Sequence, residues 1–81
     1  MVSCIQCVPD PTDSTRELVI TGGADKYIHM HFLDAQKNLT KILSYQVQAT
    51  PMSVDLMGES ILSGLKNGTI LELNNVLTNP Q

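Results

Sequence analysis

The chain has no tryptophan, one phenylalanine and two tyrosines among 81 residues. Binding single-stranded nucleic acid takes aromatic faces for stacking and a basic groove along the backbone. Five Lys and Arg, scattered singly against eight Asp and Glu, leave a net charge of −3 and supply no such groove. Nucleic acid is therefore not an expected partner. No apolar run approaches the roughly 20 residues of a membrane helix. The opening MVSCIQCVPDP lacks the basic start and long apolar core of a secretory signal. A membrane is not expected, and a cytoplasmic setting is, in which both cysteines stay reduced.

Chemistry-bearing residues are equally sparse. Cys4 and Cys7 form a Cys-x-x-Cys, but in a strand-like segment, where positions three apart face opposite ways. They are expected as two buried thiols. His29 and His31 share a strand face and could chelate a metal together with a cysteine. The competing reading, a pair of half-buried strand histidines, is preferred, so no metal site is expected. Gly22-Gly23 is followed by no Lys-Ser or Lys-Thr and opens a strand rather than a helix, so it is not a phosphate loop. Ser14, Asp13 and His31 carry no nucleophile-triad signal. No cofactor and no enzymatic activity are expected. The sequons at Asn38 and Asn67 are read as chance matches.

What the chain does contain is a repeat. TGGADKYIHM (residues 21–30) aligns without a gap on SGLKNGTILE (residues 63–72). Thr21 falls on Ser63, Gly22 on Gly64, Asp25 on Asn67 and Ile28 on Ile70, an offset of 42 residues. Upstream, Val19-Ile20 falls on Ile61-Leu62. A period of about 40–45 residues with strand-like content marks the blades of a β-propeller.

Periodicity and turn chemistry place strands at residues 2–8, 17–21, 27–32, 39–46, 51–57, 60–65 and 69–73. A short helix over residues 39–45 is the competing reading for the fourth. Residues 9–15 (PDPTDST) read as a turn from their Pro, Asp and Ser content. Residues 22–26 read as a turn in which Gly22 and Gly23 supply positive φ beside Asp25. Gly58-Glu59 reads as a tight turn. Asn67-Gly68, after Gly64, reads as a type I′ hairpin with both central residues at positive φ. The tail 74–81 reads as the stub of another outer strand. The expected fold is all-β: two four-stranded antiparallel blades, the first over residues 1–46 and the second, partial, over 47–81. Both faces of each sheet look apolar, as stacking between neighbours requires. Closed propellers have about 4–8 blades, so the chain is expected to be a fragment or one part of a larger ring.

Residues 19–32 (VITGGADKYIHMHF) resemble the second and third strands of the WD-repeat family with the turn between them, and residues 2–10 resemble the first strand. Residues 60–73 (SILSGLKNGTILEL) resemble blades of echinoderm-microtubule-associated-protein-like proteins. The usual Trp-Asp ending is absent, replaced by His31-Phe32 and Leu73-Asn74, and no Gly-His pair precedes Pro51. The resemblance implies a scaffold that binds other proteins, with tubulin or microtubule-associated proteins as partners and a cytoskeletal or ciliary location. The loops expected to carry contacts are 9–16, 22–26, 33–38 and 66–68, with Asp10, Asp13, Arg16, Lys26 and Lys66 as their charged members. Two alternatives stand beside this scaffold. One is completion of a ring by self-association through open blade edges. The other is a small metal-binding protein using the histidines and cysteines.

Overall fold

The computed structural model describes residues 2–74 and Val76. Among them are seven strands: β1 (Val2–Pro9), β2 (Glu17–Gly23), β3 (Tyr27–Leu33), β4 (Leu39–Gln46), β5 (Pro51–Met57), β6 (Ser60–Leu65) and β7 (Ile70–Leu73). β1 to β4 form one antiparallel meander and β5 to β7 a second. Residues 39–46 are a strand and not a helix. A fourth strand of the second sheet, expected in the tail, lies outside the described residues apart from Asn74 and Val76.

The two sheets stack over one core. Leu18, Ile20, Ile28 and Met30 of the first sheet are fully buried against Val54, Ile61 and Leu65 of the second. Alternation places these residues on one face of each sheet, because side chains of a strand point to opposite faces in turn. Leu43 of β4, Val47 in the link between the sheets, and Val76 complete the core.

The repeat is preserved in the pairing. In the first sheet Ile20 opposes Met30 and Gly22 opposes Ile28. In the second, Leu62 opposes Glu72 and Gly64 opposes Ile70, the same register 42 residues on. The first strand of each sheet carries an irregularity at the same place, between Val2 and Cys4 and between Pro51 and Ser53. Even the turn hydrogen bonds repeat. Tyr27 N donates to Asp25 Oδ1 at 3.2 Å, and Thr69 N donates to Asn67 Oδ1 at 3.0 Å. A short acidic or amide side chain accepting from the backbone two residues on is the mechanical reason for Asp and Asn there.

Turn chemistry departs from the sequence expectation. Gly22 and Gly23 lie within β2 and neither has positive φ; Lys26 does, at 65°. Lys26 N donates to Gly23 O at 3.0 Å, closing a turn whose last residue is left-handed. The hairpin at 65–69 is built alike: Gly68 N donates to Leu65 O at 3.0 Å, and Gly68 alone is left-handed, at φ 90°. It is a type I turn with a bulge rather than type I′, so Asn67 keeps negative φ. Lys37, at φ 67°, closes a third such turn on Asp34 O at 3.0 Å. Gly58, at φ 64°, fills the first position of the two-residue turn between β5 and β6.

Lysine in the left-handed region is strained by its Cβ, by about 1–2 kcal/mol. Glycine removes the strain but adds entropy to the unfolded chain, which offsets about 0.4–1 kcal/mol. Lys26→Gly and Lys37→Gly are each expected to stabilise the fold by about 0.5–1 kcal/mol. A urea midpoint that stays put or falls in both variants would contradict this.

Candidate functional site

The pair Asp-x-Thr occurs twice in the loop between β1 and β2, and each copy folds on itself. Asp10 Oδ1 accepts from Thr12 N at 2.8 Å and Thr12 Oγ1 at 2.7 Å. Asp13 Oδ1 accepts from Thr15 N at 2.9 Å and Thr15 Oγ1 at 2.6 Å. Arg16 Nε then donates to Asp10 Oδ2 at 2.7 Å and lies 3.8 Å from Asp13 Oδ2. Its guanidinium carbon sits 3.5 Å from the centre of the Phe32 ring, a cation–π arrangement. The Asp-x-Thr spacing was visible in the sequence; that Arg16 would tie the loop to Phe32 was not.

Asp10 therefore faces inward, its carboxylate buried and fully engaged, rather than outward as a contact residue. Burial alone would push its carboxyl up, but hydrogen bonds from Thr12 and Arg16 outweigh it and hold it below its ordinary value. Hydrogen bonds from Thr15 hold Asp13 low as well. A carboxyl lowered in the folded state stabilises the fold fully above the ordinary carboxyl range and loses that effect as pH falls through the lowered value. Asp10→Ala is expected to cost about 2 kcal/mol at pH 7, the scale of hydrogen bonds to a charged group. The deficit relative to wild type narrows in acid; a deficit constant down to pH 2 would rule out this assignment.

The remaining loop residues divide between the two ends of the sheets. Arg16 borders a groove of about 390 Å³ between this loop and the turn at 34–37, with Glu17, Asp34 and Lys37 in its walls. Lys26 and Lys66 are exposed at the other end. There, Val47 N donates to Lys26 O and Lys66 N donates to Thr50 O, both at 2.8 Å, pinning each turn to the link between sheets.

Gly22, expected as a turn residue, is a packing residue. A Cβ there would lie 2.7 Å from Pro51 Cβ and 2.9 Å from Cys4 Sγ. The Ser3 hydroxyl, on the irregular segment of β1, reaches the carbonyls of both Gly22 and Pro51, and Cys4 Sγ lies 3.6 Å from Pro51 O. Gly64, its repeat partner, sits in β6, where a Cβ would meet only Ser53 Oγ, at 3.1 Å.

The outward face of the first sheet carries Tyr27, His29 and His31 in alternation on β3. The Tyr27 and His29 rings are parallel, 5.7 Å apart, and His29 Nδ1 lies 2.9 Å from Ser44 Oγ. Desolvation, followed by the positive neighbours His29 and Lys41, pushes the His31 imidazole below its usual value. Cys7 lies on this face and is exposed, against the expectation of a buried thiol; Cys4 is half-buried on the other. Partial desolvation and then the adjacent Glu17 carboxylate push the Cys7 thiol up, which disfavours a reactive thiolate. Among the described residues, no group of three or more His, Cys, Asp or Glu is arranged to hold a metal ion.

No family model, no curated protein and no solved structure matches the chain. Its function is thus read from its own geometry.

Proposed function

We propose that this chain is a non-catalytic protein-binding scaffold built from two propeller-type blades. The observation that carries the reading is the double repetition. Register and turn geometry recur at 42 residues, the first-strand irregularity recurs at the same place in each sheet, and the two sheets stack face to face. Stacked sheets of this kind hold loops rigidly at their ends, and rigidly held loops are the usual seats of recognition. The exposed Lys26 and Lys66 at one end and the groove beside Arg16 at the other are the surfaces on offer.

The resemblance to microtubule-associated propeller proteins narrows the partner to tubulin or a microtubule-associated protein, with a cytoplasmic, cytoskeletal or ciliary location. Tubulin is the accessible probe. The chain is expected to pellet with polymerised microtubules in a saturable way, and Lys26→Glu with Lys66→Glu is expected to weaken pelleting without moving the thermal midpoint. Wild-type chain that stays in the supernatant at every microtubule concentration would remove the microtubule reading.

A further inference from the structure

Translation by 42 residues exchanges the covered and open faces of the two sheets. Leu18, Ile20, Gly22, Ile28 and Met30 form the front of the first sheet, and all are buried against the second. Their repeat partners Ser60, Leu62, Gly64, Ile70 and Glu72 form the front of the second sheet, which faces away from the core; Ile70 is 79% exposed. The backs are exchanged the other way. Val19, Thr21, His29 and His31 are only partly covered on the first sheet, whereas Ile61 and Ser63, the partners of Val19 and Thr21, are buried on the second. The internal contact is therefore front on back, and the described chain is left with one open front and one open back.

A front-on-back contact is heterologous, so its free halves match each other rather than themselves. We propose that the open front of the second sheet binds the open back of the first sheet in a second copy of this chain. The inference rests on the stacked-blade reading above.

The internal contact supplies the template. Pro51 sits on Gly22, where no Cβ intrudes. Gly64 offers the same seat uncrowded, beside a groove of about 490 Å³ whose walls include Asp55, Leu62 and Ile70. Register identifies what fills it. Pro51 opposes Leu65 as Val2 opposes Gly23, the residue 42 positions before Leu65, so Val2 of the second copy takes the place of Pro51. Val2 is 61% exposed, and Ile5 on the open back is 64% exposed. Charge agrees with this choice of occupant. Asp55, Leu62 and Glu72 form one cross-strand row on the open front. Lys41, the cross-strand neighbour of His31, places a positive charge on the open back. Complementary charge across an interface favours the right register and penalises like-on-like docking.

The test is analytical ultracentrifugation of the 81-residue chain with two variants at exposed or half-exposed positions. Ile70→Lys spoils the front only, and His31→Glu spoils the back only. Wild type is expected to grow in mass with concentration past the dimer, because each added copy presents a new free face. Each variant alone is expected to associate about tenfold or more weakly, as like charges then meet. An equimolar mixture of the two is expected to associate more strongly than either variant alone, since the intact front of one meets the intact back of the other. Two results would overturn the proposal: wild type that stays monomeric throughout, or a mixture no more associated than its components. Hydrogen exchange on the same samples separates the two readings. A monomer with both sheets protected loses the docking and keeps the stacked sheets, whereas a chain with neither sheet protected loses both.

Discussion

Gly22→Ala is expected to lower the free energy of unfolding by about 2–3 kcal/mol, the cost of forcing an extra methyl into a packed contact. The added Cβ would meet Pro51 Cβ and Cys4 Sγ inside 3.0 Å. Pro51 cannot yield by rotating, because its ring is closed on the backbone of β5, so the sheets must part. Parting them also strains the reach of the Ser3 hydroxyl to the Gly22 and Pro51 carbonyls. In a domain of this size the thermal midpoint falls by roughly 4–8 °C per kcal/mol. Gly64→Ala is the control. Its Cβ meets one hydroxyl at 3.1 Å, that of the exposed Ser53, which can give by a few tenths of an ångström while still accepting from Gly64 N. Loss of glycine entropy from the unfolded chain offsets that contact by about 0.4–1 kcal/mol. Its stability is expected within about 0.5 kcal/mol of wild type, as for most surface substitutions. Equal losses at the two glycines in denaturant titrations would mean that the sheets do not meet at Gly22.

Ile28→Ala is expected to cost about 3 kcal/mol, within the usual range for truncating a buried isoleucine. Ile70→Ala, at the matching position of the repeat, is expected to change the monomer by less than about 0.5 kcal/mol. The first side chain is wholly buried and the second is 79% exposed, although each opposes a glycine in the same register. A domain of this length holds about 5–10 kcal/mol in total, so the first variant loses a large share of it. Matching losses at the two sites, measured in dilute solution by thermal melts, would contradict the assignment of covered and open fronts.

The strands were legible because short-range rules govern them. Alternation, β-branched content and punctuation by Pro, Gly, Asn and Asp set out seven segments, and the ungapped repeat aligned the two central hairpins. Where the reading failed, the deciding partner was distant in sequence. Gly22-Gly23 looked like a turn because glycine favours turns, yet Gly22 is needed for Pro51, 29 residues on. The left-handed turn position went to Lys26, which nothing in its composition announces. Cys7 was expected inside because cysteine is often buried; it lies on the one face of the first sheet that no element of the described chain covers. Asp10 looked like a loop-surface charge until Thr12 and Arg16 closed over it.

Local chemistry alone therefore determined where the strands run and their pairing in sequence order, since neighbouring residues contain that information. Which side of each sheet is wet was decided only by stacking. Ile28 and Ile70 are the same residue in the same register, and burial separates them because a sheet lies over one and not the other. Alternation assigns residues to faces; only a second layer chooses the face that is covered.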